Sequence, residues 1–88
     1  NYLCKYCAAI NIVTPAKTVD HIRPVEAFPE YKSDIGNLAV ICYSCHRAKT
    51  DWEQGYYGTG QGNKLTGAKP IDNVKMIVLM MKKQKGNT

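Results

Sequence analysis

Two short cysteine runs limit what this chain can fold into more than any other feature. They are Cys4-Lys5-Tyr6-Cys7 and Cys42-Tyr43-Ser44-Cys45, with 34 residues between them. Two C-x-x-C pairs at such a distance suit a tetrahedral zinc held by four thiolates, each pair forming one tight knuckle. Disulfides are the alternative. Four cysteines allow three pairings, and the two local ones would each close a very small loop that staples little. Nothing near the N-terminus reads as a secretory signal, and Asn1 is not a native start, so an upstream segment is expected. A staple matters here because 88 residues make at most one domain. A chain of this size buries roughly 60–65% of its unfolded surface, which leaves a marginal core. Zinc capture would add on the order of 10 kcal/mol of apparent folding free energy at neutral pH.

The run Cys42-x-x-Cys45-His46 also has the form of a c-type haem attachment site, with Met76, Met80 and Met81 as candidate distal ligands. Cys7, however, is followed by Ala8, so that reading leaves the first pair without a task. A thioredoxin-like redox role needs a βαβ pattern around one pair, and neither pair has it. With four sulfurs on zinc, His46 is left over.

The rest of the chain divides by composition. Residues 16–22, AKTVDHI, lie between Pro15 and Pro24 and carry β-branched residues, which predicts a short strand. Residues 23–37 hold two prolines, a glycine and mixed charges and read as a long ordered loop. The apolar run 38–42 predicts a second strand. Ser44 then offers an N-cap for a helix over 45–54 that ends at Gly55. Five of the seven glycines fall in 55–69, an irregular segment. After Pro70, apolar residues at 71, 74, 77, 78 and 81 mark one helical face, with Met76, Leu79 and Met80 on the other side and a strand as the alternative. The division is thus a core at 1–54, a glycine-rich segment at 55–70 and a basic C-terminal helix and tail at 71–88. No apolar stretch is long enough for a membrane span.

Charge is uneven along these parts. Residues 1–53 carry six basic and six acidic side chains, whereas 54–88 carry six lysines and one acid, so the net charge of +5 lies in the second part. Lys64, Lys69, Lys75, Lys82, Lys83 and Lys85 form a lysine-rich end of the kind that binds phosphate backbones without reading sequence, or that merely keeps a chain soluble. Among the aromatics, Trp52 and Tyr56 are expected to pack the core. Phe28 and Tyr31 are expected to anchor the long loop, and Tyr57 to contact DNA or to fold on binding it.

Three polar features lie outside the cysteines. Asp20-His21 ends the first strand, Asn37 opens the second, and His46 opens the helix. A carboxylate beside an imidazole is a common start for a divalent-metal or general-base site. The strings TVDHIRPV and GNLAVICYSCHRAKT, with the flanking cysteine pairs, resemble the HNH endonuclease family over about residues 1–54. The stretch WEQGYYGTGQGNK more loosely resembles small phage-encoded members.

The resemblance implies an α+β fold: a zinc-stapled ββα-metal finger, made of a β-hairpin with a long loop and then a helix, followed here by a C-terminal helical segment. It implies that Asp20 and His46 hold a catalytic divalent cation, that His21 is the general base, and that Asn37 braces the loop and aims the His21 ring. Cys4, Cys7, Cys42 and Cys45 would keep a structural zinc with no chemical part. Mg²⁺ or Mn²⁺ is the expected catalytic ion, and an imidazole ligand also admits Ni²⁺, Co²⁺ or Zn²⁺. DNA is the expected partner, met by Arg47 and Lys49 at the helix start and by Lys64, Lys82 and Lys83. The phage likeness implies terminase subunits as further partners and the cytoplasm of a bacterial host as the setting. One geometric demand follows. Neighbours in a strand face opposite ways, so the first strand must bend or end near His21 if Asp20 and His21 serve one site. The rival reading is a non-catalytic zinc module that binds nucleic acid or protein through its lysine-rich tail.

Overall fold

A computed structural model of the chain describes residues 2–58 and 68–86, with side chains to residue 83. The order of elements is α1 (Lys5–Ala8), β1 (Thr18–His21), β2 (Leu38–Ile41), α2 (Tyr43–Tyr56) and α3 (Val74–Gly86). The fold is α+β. The two strands form an antiparallel hairpin in which Thr18 pairs with Ile41, Val19 with Val40, Asp20 with Ala39 and His21 with Leu38. Ala39 and Ile41 are buried while Val19 and Leu38 are exposed. One face of the hairpin, carrying Thr18 and Asp20, therefore turns toward the core, and the other carries Val19 and His21 outward. The strand ends at His21 but remains regular up to that point, so the Asp20 and His21 side chains leave it on opposite faces.

The connection between the strands is ordered, as expected, and contains two single turns of 3₁₀ helix, Pro29–Tyr31 and Ile35–Asn37. Asp34 caps the second turn, its Oδ1 accepting from the Gly36 amide at 2.9 Å.

Both predicted ends of α2 move outward. The helix begins at Tyr43 with Cys42 as its N-cap, so Ser44 lies inside the first turn. It also runs through Gly55 to Tyr56, and Tyr57 is the C-cap. The glycine that stops it is Gly58, whose φ of 82° is the left-handed conformation that usually follows a helix end. Tyr57 keeps a right-handed backbone and can be followed directly by this reversal.

Beyond the glycine-rich segment, α3 starts where the Asn73 Oδ1 accepts from the Met76 amide at 2.9 Å. This is an N-cap hidden in the sequence by the apolar run that follows. The helix lays Ile77, Val78 and Met81 into the interior and leaves Met76 and Leu79 exposed. It packs against α1 and α2.

The core joins Tyr6 of α1, Ile22, Ala39 and Ile41 of the hairpin region, Trp52 and Tyr57 of α2 and its cap, and the buried face of α3. Trp52 stacks on Tyr56 with ring centroids 5.1 Å apart. Tyr57 is not presented to a ligand: it is buried, and its hydroxyl accepts from the Ile71 amide at 2.9 Å, tying the end of α2 to the approach of α3. Phe28 packs edge-on against both Tyr57 and Tyr31, which anchors the inter-strand loop to the same core. Among the described residues, no helix is long and apolar enough to cross a membrane.

Candidate active site and metal centre

The two cysteine pairs are built alike. Cys4 is the N-cap of α1 and Cys7 its third helical residue, while Cys42 is the N-cap of α2 and Cys45 its third helical residue. A cap and the residue three further on lie on one side of a helix start, so each pair offers two sulfurs in one direction. In the first knuckle the Cys7 amide donates to the Cys4 Sγ at 3.4 Å. Its turn closes through Asn11, which takes a φ of 64°, tolerable for asparagine.

The four sulfurs lie within 4.8 Å of one another. The Cys7 Sγ is 3.5 Å from that of Cys45 and 3.8 Å from that of Cys42. A zinc–thiolate tetrahedron with bonds of about 2.3 Å has edges of about 3.8 Å, so the set fits a structural zinc. Burial pushes the Cys7 and Cys45 thiols up, whereas Cys4, despite its burial, is held below the usual thiol range by backbone amides of Cys7 and Cys42. A divalent cation is the natural counter-charge for four such sulfurs. All four cysteines are free of disulfides, and His46 is not a member of the cluster.

The second constellation forms where α2 meets the end of β1. Lys49 is 1% exposed. Its ammonium donates to the His21 carbonyl at 2.9 Å, lies 3.1 Å from the Asp20 Oδ2, and pairs with Glu53 one turn further along α2. The Tyr6 hydroxyl donates to the same Asp20 Oδ2 at 2.9 Å. Burial and the Asp20 carboxylate push the Tyr6 phenol far above its ordinary range, so it stays a neutral donor. Burial likewise raises the Glu53 carboxyl, and the neighbouring Lys49 ammonium opposes that shift.

Asn37 is fully buried at the start of β2. Its Oδ1 accepts from the Arg23 amide at 2.7 Å and from the Arg23 Nε at 3.0 Å, and its Nδ2 donates to the Arg23 carbonyl at 3.0 Å. The Ile22 amide donates to the Asn37 carbonyl at 2.7 Å. The two residues that follow His21 are thus hydrogen-bonded to one side chain and its own backbone. Arg23 continues the brace, with its guanidinium 3.7 Å over the Tyr31 ring and 3.3 Å from the Asp34 carboxylate.

His46 is exposed in the first turn of α2, its amide donating to the Cys42 carbonyl at 2.9 Å. It stands three residues before Lys49, hence on the same side of the helix. Cysteine pair, Asp-His strand end, buried asparagine and a histidine directly after the second pair thus follow one another around a hairpin and a helix. A profile of the family described as HNH endonuclease matches residues 4–51. The chain belongs to the HNH endonuclease family. No curated protein and no solved structure matches it.

The matched segment of this HNH chain ends within α2 and contains the hairpin and both cysteine pairs, while α3 lies beyond it. Of the residues expected to meet DNA, Arg47 is exposed, its guanidinium 5.9 Å from the Tyr43 ring centroid. Lys82 and Lys83 are exposed on α3. Lys64 lies outside the described residues. Lys49 is the correction: an ammonium this buried, with all three hydrogens matched by oxygens, is not presented to a phosphate. The sequence grouped Lys49 with Arg47 as a DNA contact, yet its partner was signalled by the i,i+4 spacing to Glu53. Tyr6 carried no such signal, because only the fold brings α1 beside Asp20.

Proposed function

We propose that this HNH protein is a metal-dependent DNA endonuclease that hydrolyses phosphodiester bonds. One observation supports the reading: the Lys49 side chain, three residues after His46 on α2, bonds both the Asp20 carboxylate and the His21 carbonyl, and so ties the helix that bears His46 to the strand end that bears the other two. An acid and an imidazole on adjoining elements are a donor set for a divalent cation such as Mg²⁺ or Mn²⁺. Asp20 and His46 would hold it, Asp20 through Oδ1, because Tyr6 and Lys49 both engage Oδ2. When bound, it supplies charge neutralisation at the scissile phosphate and the leaving oxygen. The His21 imidazole takes a proton from the attacking water, a role that a neutral histidine fills near neutral pH. Asn37 acts through the backbone: by holding Ile22 and Arg23 it fixes the exit of the chain from His21 and so the direction of the ring. Arg47, Lys82 and Lys83 supply sequence-independent phosphate contacts. The sulfur-bound zinc shapes the helix start that carries His46.

Cleavage of supercoiled plasmid by zinc-loaded protein tests this. Activity should need added Mg²⁺ or Mn²⁺, and His21→Ala should lower it about 10²–10⁴-fold, the usual share of a general base. The variant should keep its zinc and its melting temperature. Equal cleavage by both proteins would refute the role of His21.

A second reading has an observation of its own. Asp20 already has a cation, the Lys49 ammonium, as expected of a module that binds without cutting. DNA retardation on a gel with no cleavage in any divalent metal would favour it.

A further inference from the structure

Lys49 is the most deeply buried charge among the described residues, and the proposed chemistry gives it nothing to do. A buried ammonium is costly unless its hydrogens are matched. Here they are matched by three oxygens from two sources. Two belong to consecutive residues of β1, the Asp20 carboxylate and the His21 carbonyl. The third belongs to Glu53, on the same helix as Lys49. The first two contacts hold the Asp20 side chain and the His21 carbonyl on one ammonium and so tie the end of the strand to α2. They also create a problem. A lysine paired with Asp20 alone would cancel the charge of that carboxylate and leave a poor cation ligand. Glu53 removes the problem by sharing the ammonium, so Asp20, Glu53 and Lys49 together keep one net negative charge at the strand end. Tyr6 adds no charge but holds the same Oδ2, which leaves the orientation of the carboxylate fixed by two donors on one oxygen.

We propose that Lys49 and Glu53 are a pair of positioning residues for the cation end of the site: Lys49 sets the geometry of Asp20 and His21, and Glu53 offsets the lysine charge so that Asp20 can still ligate a divalent ion. The inference rests on the endonuclease reading above. Glu53 touches neither the ion nor the substrate. It acts two contacts away, through Lys49.

The experiment compares wild type with Glu53→Gln, which keeps an acceptor for Lys49 but removes the charge. Mn²⁺ is titrated into zinc-loaded protein and the free ion is followed by electron paramagnetic resonance, alongside zinc content, melting temperature and plasmid cleavage as a function of Mn²⁺. Outer-shell partners of a ligand typically tune metal affinity by about tenfold or more. Glu53→Gln should therefore weaken Mn²⁺ binding by about that factor, with zinc retained and cleavage restored at saturating Mn²⁺. Glu53→Asp, which keeps the charge, should hold the wild-type affinity, and it carries the test if Glu53→Gln does not fold. Unchanged Mn²⁺ affinity in Glu53→Gln, or weakened affinity in a folded Glu53→Asp, overturns the inference and leaves Glu53 a stabilising partner only. A wild-type protein that takes up no Mn²⁺ beyond its zinc overturns the endonuclease reading, and this one with it.

Discussion

Helix α2 serves two charged centres a single turn apart, and they are built on opposite principles. At its cap, four sulfurs from two helix starts converge within 4.8 Å, and among the described residues no ion pair involves them. One turn later the Asp20 carboxylate meets a lysine, a tyrosine and, through the lysine, a second carboxylate, all supplied by the chain. The first centre is a donor set that fits an imported ion. The second is neutralised in part by a cation of the chain itself. The difference teaches which metal should be integral and which exchangeable. Zinc binding to such a set of thiolates is coupled to folding, whereas the cation proposed at Asp20 would have to compete with the Lys49 ammonium beside it.

Stripping the zinc attacks the first centre and should have the largest effect. With on the order of 10 kcal/mol of apparent folding free energy tied to the metal, a strong chelator should abolish the cooperative thermal transition and the helical circular dichroism, and zinc should restore both. A chelated protein that still melts cooperatively would erase the contrast between the centres.

Next comes Lys49→Met, which removes the internal cation and leaves two carboxylates facing each other. Breaking a buried ion pair this way costs about 3–5 kcal/mol, read as a lower denaturant midpoint at unchanged zinc content. Asn37→Ala should cost less, about 1–3 kcal/mol for buried donors and acceptors left unpaired at Arg23, and should also depress cleavage by loosening the chain after His21. If Asn37→Ala proves more damaging than Lys49→Met, the brace rather than the ion cluster dominates the second centre. The smallest change concerns the shared helix. Gly55 is helical with open space where a Cβ would stand, so Gly55→Ala should stabilise by about 0.5–1 kcal/mol. No gain in melting temperature would mean that α2 frays before that position.

Legibility in the sequence followed the same divide. The sulfur centre could be read directly because its ligands come as two local pairs whose spacing is the geometry. The hairpin and the α3 face were legible through β-branched runs and a helical period. The ion cluster was not, because Tyr6, Asp20, Lys49 and Glu53 are brought together by the hairpin closing on α2, and of their contacts only Lys49–Glu53 is local. Lys49 reads as a DNA contact because its sequence neighbours do not reveal that its side of α2 is covered. The extent of α2 was misjudged for a related reason. Gly55 is a weak helix former that tertiary packing of Trp52 and Tyr57 on either side carries along, and only at Gly58 does the backbone reverse.

The matched placement of the cysteines, at the cap and third residue of both helices, separates what length variation this architecture can absorb. One residue inserted inside either C-x-x-C would swing the second sulfur by about 100° around its helix and dismantle the tetrahedron. One residue inserted at the exposed Lys32 and Ser33, in the connection between the strands, would only lengthen a surface arc held on either side by Tyr31 and Asn37. Length can therefore change along that arc at little cost, while the spacing within each pair is as fixed as the helix pitch itself.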